Sequence, residues 1–208
     1  MKRAIEKTPD RVKILGLGHP RTGTGYTTSL LNKWGLDIGH EVFKSDGIVA
    51  WQFVEDYSPW TYMSWMIGKV PEYDILIYNV RNPKDSIPSI VFTEGKTLNW
   101  RINRLNIERS YNPVEQAILS ILKFDELILA KSPDIIYRIE DQELRLFEKL
   151  VNEQGLKLNW VAPENKKVNA RVHDSIDTLT TDINTVRAEL KKSLNMYCRT
   201  YGYEEFFK

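Results

Sequence analysis

The stretch Ile14-Leu15-Gly16-Leu17-Gly18-His19-Pro20-Arg21-Thr22-Gly23-Thr24-Gly25-Tyr26 reads as a buried strand running into a Gly-rich turn that opens a helix. Such a turn points several backbone N–H groups and the positive end of the helix at one spot, which suits a phosphate or sulfate. Gly23 and Gly25 let the backbone come close to an anion. Thr22 and Thr24 add hydroxyls, and Arg21 adds a planar, permanently charged fork. The spacing from Gly18 to Gly23 is that of the nucleoside triphosphate loop G-x-x-x-x-G-K-S/T, but Thr24 stands where that loop has its lysine. Nor is this a dinucleotide fingerprint, because Arg21 stands where the third glycine belongs. The loop is built for an anion without being a standard triphosphatase loop.

Outward from the loop, two further apolar runs have strand character: Asp74 to Val80 and Asp134 to Ile139, alongside Val12 to Leu17. All three are nearly continuous and rich in β-branched residues, as in parallel strands covered on both faces. Helical patterns lie between and after them. They run over Thr24 to Trp34, Lys84 to Phe92 with Pro88 inside, Val114 to Lys131, Gln142 to Gln154 and Leu179 to Tyr201. The alternation predicts an α/β fold, a mostly parallel central sheet flanked by helices, in one domain over residues 1–208. The polar stretch Lys157 to Ser175 reads as a long functional loop.

Composition narrows the classes. The 208 residues are 42% hydrophobic and 27% charged, which suits a globular chain and not a disordered one. A net charge of +1 supplies no global field for nucleic acid or an anionic membrane, so anion recognition must be local. One cysteine, Cys198, excludes an intramolecular disulfide and reads as a core or near-surface thiol. No apolar run has transmembrane length and the first residues show no leader pattern, so the expectation is a cytoplasmic protein. Oligomeric state is left open, a homo-oligomer included.

A second motif follows the second long strand: Val80-Arg81-Asn82-Pro83-Lys84-Asp85-Ser86-Ile87-Pro88-Ser89. Arg81 falls at the carboxyl end of a strand, where open α/β sheets bind ligands. Together with Ser86 and Ser89 it makes a second anion site beside the first.

The two motifs together resemble those of sulfotransferases that use 3'-phosphoadenylyl sulfate (PAPS). His19-Pro20-Arg21-Thr22-Gly23-Thr24-Gly25-Tyr26 is similar to that family's 5'-phosphosulfate loop, departing from it at His19 and Gly25. Arg81-Asn82-Pro83-Lys84-Asp85, with Ser89 eight residues after Arg81, is similar to its 3'-phosphate motif. Tyr137-Arg138-Ile139-Glu140-Asp141 resembles a further segment that follows a later strand. These motifs cover the nucleotide half. Roughly residues 39–73, where an acceptor should bind, carry no specific match.

The resemblance implies a P-loop-like sulfotransferase fold and transfer of a sulfuryl group from PAPS to a hydroxyl of a carbohydrate, lipid or small metabolite. PAP would be the product, and no metal is needed. By resemblance Arg21, Thr22, Gly23, Thr24, Gly25 and Tyr26 hold the 5'-phosphosulfate, with Arg21 in the catalytic position. Arg81 and Ser89 bind the 3'-phosphate. Glu41 is the favoured general base, with His40 second. Arg171, in the late loop, closes on the nucleotide. Trp51, Trp60, Tyr62 and Trp65 are aromatics that either stack on an acceptor or pack the core. A P-loop kinase or nucleotide phosphotransferase, and a non-catalytic nucleotide-binding protein, are the competing readings.

Overall fold

A computed structural model of the chain describes residues 6–7, 9–55, 57–58, 66–163 and 176–208. Arg171, Trp60, Tyr62 and Trp65 lie outside them, as does most of the expected late loop.

The architecture is α/β. Five parallel strands form the central sheet: β1 (Arg11–Leu17), β2 (Ile38–His40), β3 (Gly47–Val49), β4 (Glu72–Val80) and β5 (Ile135–Arg138). Their order across the sheet is β2-β3-β1-β4-β5. The three expected runs are therefore its three right-hand strands. The long ladder between β1 and β4 runs from Arg11 opposite Glu72 to Leu17 opposite Tyr78. A separate small sheet joins Glu6–Lys7, Met66–Lys69 and Tyr57–Ser58.

Side chains alternate across the strands, so each continuous apolar run feeds two cores. On one face Ile14, Ile75, Ile77, Ile135 and Tyr137 pack under helix α1 (Thr24–Lys33) and helix α5 (Glu143–Glu148). On the other face Leu15, Leu17, Leu76, Tyr78 and Val80 meet Phe124 and Ile128 of helix α4 (Pro113–Leu129). A third cluster is helical. It gathers α2 (Pro83–Thr93), α3 (Gly95–Arg104), α4, and α7 (Ala188–Thr200), which follows the short α6 (Thr180–Asn184). Cys198 is fully buried there, and burial raises its thiol pKa.

Two expectations need revision. The closing helix is not continuous from Leu179 to Tyr201. It is a 3-10 turn, α6 and α7, broken at Arg187, whose extended backbone starts α7 and whose N–H donates to Glu115 Oε1 at 2.9 Å. The helix expected over Gln142 to Gln154 changes to π-type winding over Lys149–Glu153. Pro88 lies inside α2, where it costs one backbone hydrogen bond, and Asn82 caps the helix by accepting from Lys84 N at 3.0 Å.

The topology fixes where a ligand can sit. β1 leads through α1 to β2, at one edge of the sheet. β4, on the other side of β1, leads through α2, α3 and α4 to β5, at the opposite edge. Chains leaving the neighbouring strands β1 and β4 therefore diverge. A crevice opens between their carboxyl ends, the preferred ligand position in open α/β sheets.

Candidate functional site

The loop from Gly18 to Gly23 fills one side of that crevice. Two residues in it have left-handed backbones: Arg21 at φ 73° and Gly23 at φ 92°. Gly23 is the residue before α1 and gives it no side-chain cap. The first-turn N–H groups of Thr24, Gly25 and Tyr26 thus head the helix without intrahelical acceptors. A β-carbon on Gly23 would stand 2.6 Å from Ile139 Cδ1, and one on Gly18 would stand 2.5 Å from the Asn79 amide nitrogen. Close approach to the Asn79 amide favours glycine at Gly18, and the left-handed φ favours it at Gly23, where the Ile139 methyl adds a smaller steric obstacle.

The loop is tied inward by its own hydroxyls and by β4. Thr22 Oγ1 donates to His19 O at 2.6 Å, and Asn79 Nδ2 donates to Thr22 O at 2.9 Å. Thr24 Oγ1 lies 3.1 Å from His40 Nε2. The Tyr26 ring is buried and its hydroxyl donates to Glu143 on α5 at 2.9 Å, so Tyr26 offers the crevice its backbone N–H and not its side chain. Thr27, which the sequence did not single out, joins α1 to β5 through Tyr137 OH at 2.6 Å.

Arg21 and the second motif meet directly. Arg81 Nη1 donates to the Arg21 carbonyl at 2.9 Å. Arg21 Nε donates to Ser89 Oγ at 2.9 Å and lies 3.8 Å from Glu94 Oε1. The buried Ser86 hydroxyl, one turn before Ser89, makes no hydrogen bond. Behind Arg21 runs a buried polar circuit that sequence reading missed. Glu94 Oε2 accepts from Arg101 Nη1 at 2.8 Å, and Arg101 is 0% exposed. Arg101 Nε reaches Ser120 Oγ at 3.4 Å, and Ser120 Oγ is 2.7 Å from His19 Nε2. His19 Nδ1 meets the Pro20 carbonyl, which can only accept, so Nδ1 carries the proton and Nε2 accepts from Ser120. The circuit therefore leaves the loop at Arg21 and returns to it at His19. Burial and the Arg101 charge both hold the His19 pKa well below the usual histidine range.

The two base candidates stand at the end of β2. His40 faces the loop through Thr24, and burial lowers its pKa against the opposing pull of Glu41. Glu41 has a left-handed backbone, φ 55°, and its Oε1 accepts from Trp51 Nε1 at 2.7 Å. Trp51 is buried, edge-on to Trp100 and beside the Arg101 guanidinium, 5.9 Å from ring centroid to Cζ. It packs the core and orients Glu41 at once. Glu140, in the third resembling segment, accepts from Asn82 N at 2.7 Å and from Tyr203 OH at 2.9 Å, fixing the start of α2 to the C-terminal segment. Among the described residues no three His, Cys, Asp or Glu side chains gather as a metal set, and no helix is long and apolar enough to cross a membrane.

No protein-family model matches the chain, and no relative is found among curated proteins. Among solved structures the chain is similar to the crystal structure of mouse sulfotransferase SULT7A1 complexed with PAP. The identity is 11% and the TM-score 0.41, over 94% of this chain and 86% of that one. At that identity and score the likeness assigns neither an activity nor a ligand to this chain.

Proposed function

We propose that this chain is a single-domain PAPS-dependent sulfotransferase acting on a hydroxyl of a small-molecule or glycan acceptor. The observation that carries the reading is the junction of the two motifs. The loop after β1 and the Arg81/Ser89 pair after β4 are bonded to each other across the crevice, Arg81 to the Arg21 carbonyl and Arg21 to Ser89.

A doubly anionic nucleotide fits this donor set. The N–H groups at the head of α1 and the Arg21 side chain suit the 5'-phosphosulfate, and Arg81 with Ser89 suits the 3'-phosphate. PAPS supplies the activated sulfuryl group; the protein's part is positioning and charge. Arg21 stabilises the negative charge that grows on the departing phosphate oxygen. His40 is the better placed base, since its imidazole touches the loop at Thr24 and burial keeps it neutral. Glu41, held by Trp51, is the second candidate.

Calorimetric titration with PAP, with and without EDTA, beside Mg-ATP tests the reading. Tight, metal-independent PAP binding is expected. Binding of ATP only, and only with magnesium, would move the chain to the P-loop kinases. PAP binding without transfer to any hydroxyl acceptor in a broad panel would leave a non-catalytic nucleotide-binding protein.

A further inference from the structure

Glu94 is an 8%-exposed carboxylate between two cations. One oxygen accepts from Arg101 at 2.8 Å, and the other lies 3.8 Å from Arg21 Nε. Its backbone is pinned from both sides. Glu94 N donates to Ile90 O at 3.1 Å at the end of α2, and Glu94 O accepts from Thr97 N at 2.7 Å and Leu98 N at 3.1 Å at the start of α3. With its backbone pinned and one oxygen held by Arg101, the carboxylate offers Arg21 a fixed partner.

A guanidinium is rigid and planar, so holding its Nε edge fixes the direction of the opposite fork. Arg21 Nε is held by Ser89 and faced by Glu94. Ser89 contributes a neutral contact. Glu94 contributes charge, and it does so in a site where burial makes charge count for more than in water. Arg101 is the cation that anchors that carboxylate from the other side. A fully buried guanidinium needs a compensating anion, and Glu94 is the carboxylate within 4 Å of it. The pair is thus a fixed dipole whose free oxygen is turned to Arg21.

We propose that Glu94 is a positioning residue that aims the Arg21 guanidinium into the crevice, with Arg101 as the buried cation that fixes the Glu94 carboxylate in place. Its catalytic consequence rests on the sulfotransferase reading above; its structural content does not. Two cations share one carboxylate, so the trio carries a net positive charge. Neutralising Glu94 leaves that charge higher and removes the carboxylate that faces Arg21 Nε beside Ser89. The head of α1 and the Arg81/Ser89 pair still hold the donor anion, while the stabilisation of the leaving oxygen is weakened.

The test uses the full chain with Glu94→Gln and Glu94→Asp. Asp keeps the charge and the fold but withdraws the carboxylate by one methylene, and it decides the matter if the Gln variant does not fold. The first readout needs no ligand: hydrogen exchange of the Arg21 Nε–H by NMR, its signal assigned by loss in Arg21→Lys. Exchange about tenfold faster in the Gln variant, or in Asp if Gln does not fold, is the expected result. Exchange within about twofold of wild type overturns the proposal. The second readout is the split between kcat and KM for PAPS. The expectation is kcat about tenfold down with KM unchanged or lower, and an effect of Arg21→Ala that is less than additive with Glu94→Gln. Strict additivity marks Glu94 as structural support alone and overturns the proposal. A wild-type protein that neither binds PAP nor transfers would sink the functional reading, while the exchange measurement still decides on Glu94.

Discussion

Arg81, at the end of β4, donates from Nη1 to the main-chain carbonyl of Arg21, 2.9 Å away in the loop after β1. Arg21 is one of four non-glycine residues with positive φ among the described residues, and Glu41 is another. A left-handed arginine costs on the order of 1–2 kcal/mol. The Arg81 bond is the contact that holds its carbonyl in that orientation. Arg81→Ala should therefore loosen the loop even without ligand, destabilising the protein by about 1–3 kcal/mol. Denaturant unfolding checks this. The same variant should weaken PAP at least about tenfold in calorimetry, and Arg81→Lys should restore little, since one ammonium cannot replace the fork.

The base can be assigned by two substitutions. His40→Asn should lower kcat by about 10²–10⁴ while PAP affinity stays near wild type. Glu41→Gln should cost much less. The opposite ranking would return the role to Glu41. Because burial lowers the His40 pKa, the rate should rise with pH through a value below the ordinary 6.5 and be flat above it. A pH–kcat profile reads that directly.

His19 makes stability pH-dependent. Its folded pKa is depressed, so the unfolded chain binds the proton more readily. The stabilisation is complete above the unfolded value and is lost as pH falls from there toward the folded one. Protonation would put a second donor against the Ser120 hydroxyl beside the Arg101 charge. Stability should fall below about pH 6.5 by about 1.4 kcal/mol per pH unit from this group. His19→Gln, which keeps an acceptor toward Ser120, should flatten the slope by that amount in denaturant titrations at several pH values.

Gly23→Ala meets two obstacles, a φ of 92° and Ile139 Cδ1 at 2.6 Å. The strain alone costs about 1–2 kcal/mol. Ile139→Val in the same chain removes that methyl and should recover only the steric part. Thermal unfolding of the single and double variants separates the two.

The loop, the strand-end arginine and the strands Arg11–Leu17, Glu72–Val80 and Ile135–Arg138 were legible because their signals are local: continuous apolar runs, and dense glycine, threonine and arginine at a strand's end. The strands Ile38–His40 and Gly47–Val49 are three residues each, too short for any periodicity. Helix α3 opens at Gly95 and is rich in polar residues, so nothing in it advertised a core position. Least legible was the Glu94–Arg101 pair. Long charged side chains normally signal a solvated face, and only the packing of α3 against α4 turns these two inward. The same blindness applied to Thr24 and His40, sixteen residues apart in sequence and joined only by the crossover from β1 to β2.

The strand order also dictates a timetable. Of the strands in the central sheet β1 is the first to leave the ribosome, yet it ends in the middle, between β3 and β4. Its partners begin at Gly47 and Glu72, so one unpaired edge waits for about thirty further residues and the other for about sixty, the longer delay being about 3–12 s at ordinary synthesis rates. During that interval Val12, Ile14, Leu15 and Leu17 are an apolar strand with no sheet to join. The nascent chain is then an evident client for a chaperone that grips short hydrophobic segments, and its yield in a cell would depend on that escort as much as on the final stability.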